Sequence, residues 1–134
     1  MIKSDFHTHT TYCDGKNSPK EMVEAAYKNG FSAIGFSSHS HTPFDESYCM
    51  SVENTEKYIH EVNALKEIFA RGAQYWKTVL QWGTSRKLLS EKEVAILTLA
   101  ANMFVTGRVI SDKQAQVVIS ARKRLIENGM PMQF

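Results

Sequence analysis

The sequence predicts an α/β N-terminal part, ordered strand–helix–strand–helix, followed by an all-α segment of three helices. Three observations carry that expectation. Short apolar runs at residues 2–6 and 31–36 flank a stretch of helix length. That stretch opens on Ser18-Pro19-Lys20-Glu21 and closes on Asn29-Gly30. Finally, composition changes along the chain: all five histidines (His7, His9, His39, His41, His60) come early, and both tryptophans (Trp76, Trp82) come late.

The first strand, residues 2–6, has apolar ends and leads into a polar loop whose turn signal is Asp14-Gly15. The first helix then starts where Ser18 can cap, Pro19 suits the first helical position and Glu21 completes a capping box. Met22, Val23, Ala25, Ala26 and Tyr27 supply its buried face. The second strand is Phe-Ser-Ala-Ile-Gly-Phe, residues 31–36, followed by a polar loop to Met50. Ser51 caps a longer helix with Val52, Ile59, Val62 and Leu65 along one face. Two strands joined by a helix make parallel neighbours, so both polar loops leave the C-terminal ends of their strands. Open sheets and β/α barrels place their chemistry at that edge.

The later helices are read at residues 73–82, with Tyr75, Trp76, Val79 and Leu80, stopping near Gly83. Another opens at the capping box Ser90-Glu91-Lys92-Glu93, and a third opens at Ser111-Asp112-Lys113-Gln114 and ends at Asn128-Gly129. Residues 1–67 hold six lysines and ten acids, a balance of −4; residues 68–134 hold ten Lys+Arg and four acids, a balance of +6. The expected division is therefore 1–67 as a metal-binding segment and 68–134 as a basic helical segment.

Composition excludes several classes. Hydrophobic content of 43% and charged content of 22% are those of an ordinary globular chain. No apolar run approaches the roughly 18 residues of a membrane span. The N-terminal residues lack an apolar signal region, so the expected address is cytoplasmic. Two cysteines, Cys13 and Cys49, make no disulfide framework.

The most specific chemical signal is Asp5-Phe6-His7-Thr8-His9. Alternate residues of a strand share a face, so His7 and His9 can turn to one metal. Asp5 shares that face and could orient a ligand. Asp14 offers a carboxylate from the loop, and His39 ends the neighbouring strand. The expected metal ligands are therefore His7, His9, Asp14 and His39, for zinc, iron or manganese.

These residues also resemble a known family. Asp5-Phe6-His7-Thr8-His9-Thr10 with Cys13-Asp14-Gly15 resembles the first motif of PHP-domain phosphoesterases, and Gly35-Phe36-Ser37-Ser38-His39-Ser40 resembles the second. Thr42-Pro43-Phe44-Asp45 with Tyr48-Cys49-Met50 is similar to the histidinol-phosphate phosphatase branch. The resemblance is read over residues 2–67 only, with no family assigned to the second half. It implies the start of a distorted β/α barrel, here truncated, with a multinuclear metal centre at the strand ends. The implied reaction converts L-histidinol phosphate to L-histidinol and phosphate, in histidine biosynthesis. A metal-bound water is the implied nucleophile, and no side chain is cast in that role.

Such barrels run to roughly 250 residues. Residues 68–134 contain no histidine, and their only acids are Glu91, Glu93, Asp112 and Glu127. The chain is therefore expected to hold one metal at most and to be weakly active or inactive alone. Ser38 stands where many relatives carry an aspartate. Completion by a second copy, as a homo-oligomer, stays open. The alternative reading is a helical interaction or nucleic-acid-binding module, using Arg122-Lys123-Arg124. The blander readings are these. His41 is a loop residue and His60 a solvated helix residue. Cys13 and Cys49 are idle thiols, and Asp45 and Glu46 belong to a polar loop. Tyr12, Phe44 and Tyr48 are loop aromatics packing over a small core, the alternative being that they line a substrate pocket. Trp76 and Trp82, six apart and so not on one helical face, are a core anchor and a partly exposed ring.

Overall fold

The computed structural model describes residues 2–45 and 47–133. It contains, in order, β1 (Ser4–Asp5), α1 (Pro19–Lys28), β2 (Ala33–Ile34), α2 (Val52–Ser85), α3 (Glu91–Thr106) and α4 (Asp112–Glu127). This is a β-α-β start followed by helices alone. The sheet has two strands among the described residues and is not closed into a barrel. The chain divides into two compact units, Met1–Asn63 and Ala64–Phe134.

In the first unit β1 and β2 pair in parallel, with Ser4 opposite Ala33 and Asp5 opposite Ile34. The regular strands are shorter than the runs at 2–6 and 31–36. A pair with no further neighbours leaves its outer backbone groups to water, and both strands are largely exposed. Pairing nevertheless continues at both ends. Ser32 N donates to Lys3 O at 2.8 Å, Gly35 N to Asp5 O at 2.7 Å and Ser37 N to Thr8 O at 2.9 Å. Helix α1 has the expected start: Ser18 caps it, Pro19 opens it and Glu21 closes the box. Gly30, at φ +70°, follows its C-cap Asn29. The buried side chains here include Thr8, Thr10, Pro19, Val23 and Met50, a thin core.

Helix α2 is interrupted at Gly72, whose φ of 75° and ψ of 168° are not helical. A positive φ of this kind suits glycine, which lacks the clashing Cβ. Trp76 Nε1 donates to Ile68 O across the break at 2.9 Å. It thereby satisfies one of the carbonyls that a helix end leaves without a partner. The helix expected over 73–82 is the second arm of α2, extended to Ser85.

In the second unit α3 packs on α4. Ile68, Trp76, Val79, Leu97, Ala100, Ala115, Val118, Ala121 and Leu125 are fully buried there. Capping boxes at Ser90/Glu93 and Ser111/Gln114 start the two helices. Gly107, left-handed at φ 66°, ends α3. No helix is long and apolar enough to cross a membrane among the described residues.

Candidate metal centre

Strand alternation builds the site. Past β1, His7 is exposed and His9 half-buried, while the alternate residues Thr8 and Thr10 are buried. Both threonines tie the β1 extension to the β2 extension. Thr8 Oγ1 donates to Gly35 O at 2.6 Å, and Thr10 Oγ1 lies 3.0 Å from Ser38 Oγ. This lacing sets His39 beside His9, with ring centroids 4.4 Å apart at 84°.

Asp14 arrives by a tight turn. Cys13 N and Gly15 N both donate to Thr10 O at 3.0 Å. A Cβ on Gly15 would lie 2.4 Å from the His9 carbonyl carbon, so only glycine permits this approach. Asp14 Oδ1 then sits 2.8 Å from His9 Nδ1, and Oδ2 sits 3.5 Å from His39 Nε2. The hydrogen bond with His9 holds the Asp14 carboxyl below its ordinary range, and the nearby His39 adds to this.

Two imidazoles and a carboxylate therefore converge. Their ligand atoms lie within 4.8 Å of one another. Mixed nitrogen and oxygen donors suit zinc, iron or manganese-type ions. His9, Asp14 and His39 are arranged to coordinate a single divalent metal ion.

The other expected residues fall as follows. His7 joins the cluster's edge, its Nε2 being 3.2 Å from His9 Nε2. Asp5 does not reach the His7 ring; its Oδ1 accepts the His7 backbone N–H at 2.9 Å and fixes the main chain instead. His41 Nδ1 lies 3.2 Å from Met50 O, away from the ligand group. Asp45 turns to Ser47, which donates from Oγ at 2.6 Å and from N at 2.9 Å. Glu46 lies outside the described residues. Cys13 and Cys49 are free and half-buried. Burial pushes the Cys13 thiol up, but hydrogen bonds from Ser38 and the backbone at Thr10, His39 and Gly15 outweigh it and leave it below its ordinary value.

Tyr48 packs edge-on against His39, centroids 5.0 Å apart, and Phe44 is 87% exposed. Sequence reasoning missed how Tyr12 is held. Its hydroxyl donates to Glu61 Oε2 at 2.7 Å, a pairing 49 residues apart that no local pattern reveals.

Comparison with known proteins bears directly on this geometry. The PHP domain family model matches residues 5–125. The chain belongs to the PHP domain family. That extent corrects the expectation that the resemblance stops near residue 67 and that the second half is unrelated. The charge step near residue 67 therefore lies inside the family match and does not mark its end.

A probable histidinol-phosphatase from Deinococcus radiodurans is 33% identical over 69 residues, covering 49% of this chain and 26% of that protein. A DNA polymerase/3'-5' exonuclease PolX from Bacillus subtilis is 32% identical over 69 residues, covering 52% of this chain and 12% of that protein. The chain thus spans about a quarter or less of these curated relatives. No solved structure matches it.

Proposed function

We propose that this PHP domain carries a one-metal phosphoester-hydrolysing centre of the histidinol-phosphatase kind, with L-histidinol phosphate as substrate. The observation that carries the reading is the His9–Asp14–His39 cluster at the ends of two paired parallel strands. His7 is assigned as a fourth donor, because its ring nitrogen converges on that of His9. In this reading residues 1–67 hold the metal and 68–134 form a basic helical segment.

A divalent ion held there lowers the pKa of a bound water and offsets phosphate charge. The chain's own part is positioning. Asp14 locks the His9 ring through Nδ1 and lies within ion-pair reach of His39. Asp5 and Ser37 hold the backbone on either side of that pair. Activity is expected to be weak. The Asp14 and His39 side chains are 42% and 36% exposed, so water competes for the site. A single ion also cannot brace both the attacking and the leaving oxygen, as paired ions do.

The likeness to a polymerase and exonuclease favours a second substrate class, the phosphoester of a nucleic-acid 3' end. The basic run does little for it. Arg124 is spent on Glu93 at 2.8 Å and on Leu88 O, and Arg122 on the Tyr75 hydroxyl. One experiment weighs both classes. The purified chain is loaded with Zn²⁺, Mn²⁺ or Fe²⁺, its bound metal is counted, and hydrolysis is followed on L-histidinol phosphate and on a single-stranded DNA oligonucleotide. About one metal per chain and phosphate release that His9→Ala abolishes support the proposal. Nucleotide release from DNA alone moves it to the second class. No bound metal and no turnover above a chelator control refute both.

A further inference from the structure

We infer that Tyr12 is a positioning residue of the metal centre and that one face of α2 sets it. The inference rests on the metal reading above. Three side chains of α2 meet Tyr12. Glu61 accepts its hydroxyl at 2.7 Å, Asn54 Nδ2 reaches its carbonyl at 3.5 Å, and the Tyr58 ring packs against it at 6.0 Å and 70°. Residues 54, 58 and 61 are spaced four and three apart, which puts them on one stripe of a helix.

Tyr12 sits in the turn that delivers Asp14. Its own N–H reaches Thr10 Oγ1 at 3.3 Å, and the flanking amides of Cys13 and Gly15 converge on Thr10 O. An exposed turn of this size is mobile unless something outside it holds it. A phenol donating to a carboxylate is among the shorter and stronger neutral-to-charged hydrogen bonds. The Tyr12–Glu61 bond is therefore the anchor from α2, added to the ties that Thr10 and Cys13 make to Ser38 and His39. It fixes the turn before the metal arrives, so that Asp14 is presented to His9 and His39 without an ordering cost at binding.

The test uses the full chain, Co²⁺ as the probe and its visible absorption as the readout, with apo thermal unfolding measured alongside. Tyr12→Phe keeps the ring and loses the hydrogen bond. Glu61→Ala removes the acceptor, and Glu61→Gln keeps one. Tyr12→Phe and Glu61→Ala should each weaken Co²⁺ binding about 10-fold or more, the scale of outer-shell losses, while apo unfolding of residues 64–134, followed by tryptophan fluorescence, stays near wild type. Glu61→Gln should restore binding, and the double variant should be no weaker than either single one. Wild-type affinity in Tyr12→Phe and Glu61→Ala, or losses that simply add, overturns the inference. A wild-type chain that binds no Co²⁺ overturns the metal reading together with it. Should Tyr12→Phe fail to fold, Asn54→Ala and the Glu61 pair decide the same question.

Discussion

Asp14 joins two functions in one side chain: it bonds His9 and faces His39, so both rings depend on it. Asp14→Asn keeps the size and an acceptor for His9 but removes the charge. Divalent-metal affinity should fall about 100-fold, the upper end of what loss of even a supporting group costs. Calorimetric titration with Zn²⁺ checks this; a change under about 3-fold would remove Asp14 from the ligand set. Gly15 acts through sterics alone. Its Cβ would meet the His9 and Thr10 backbone at 2.4–2.5 Å, and backbone cannot swing aside as a side-chain tip can. Gly15→Ala should therefore release the turn and abolish tight metal binding, with α3 and α4 intact by circular dichroism. Wild-type affinity in Gly15→Ala would mean that the turn has a second conformation able to present Asp14.

Among the elements, α3 and α2 each hang on one identifiable side chain. Glu93 closes the α3 capping box and accepts from Arg124 on α4. The Arg124 hydrogen bond outweighs the opposing effect of burial and holds the Glu93 carboxyl down from 4.5 to about 2. A lowered folded-state value contributes stability above the unfolded value of about 4.5 and loses it as pH falls toward 2. Arg124 is 46% exposed, so solvent screening reduces the contribution to about 1 kcal/mol. Glu93→Gln keeps the cap and loses the charge. Its stability deficit in urea unfolding should be full at pH 6, shrink below about pH 4.5 and be lost only as pH falls through about 2; a deficit that does not change with pH would refute the assignment. Trp76 is the corresponding residue for α2. Trp76→Phe strands the Ile68 carbonyl and leaves a gap, and should cost about 2–4 kcal/mol in unfolding free energy. A loss under 1 kcal/mol would show that the Ile68 carbonyl has another partner. The caps at Ser18, Ser90 and Ser111 were legible because a capping box is local, its two partners three residues apart. The Gly72 break was legible in part, as the start of a separate helix at residue 73, but the local pattern does not show that the two arms run on from one another. Only Trp76 closing back on Ile68 decides for two joined arms.

At the scale of the whole molecule, the histidines and Asp14 were legible because strand alternation and one loop turn bring them together over short spans. The Tyr12–Glu61 bond and the extent of the family match were not, since both depend on positions far apart in the chain. The two units differ in how they are held. Residues 1–63 bury few large apolar side chains, whereas 64–134 close over Trp76, Leu97, Leu125 and their neighbours. A small core is marginal, so a bound ion matters most to the first unit. Binding only the folded state adds about 2.7 kcal/mol at a free-metal concentration 100 times Kd. That gain should appear as slowed amide exchange at Gly35 and Ser37, whose N–H groups bridge the two strand extensions beside the ligands. Both tryptophans lie in the second unit, so their fluorescence reports that unit alone. Its unfolding transition should shift by less than about 1 kcal/mol on adding the same Zn²⁺. Equal gains in exchange and in fluorescence would show instead that α2, which runs from one unit into the other, makes the chain unfold as a single cooperative block.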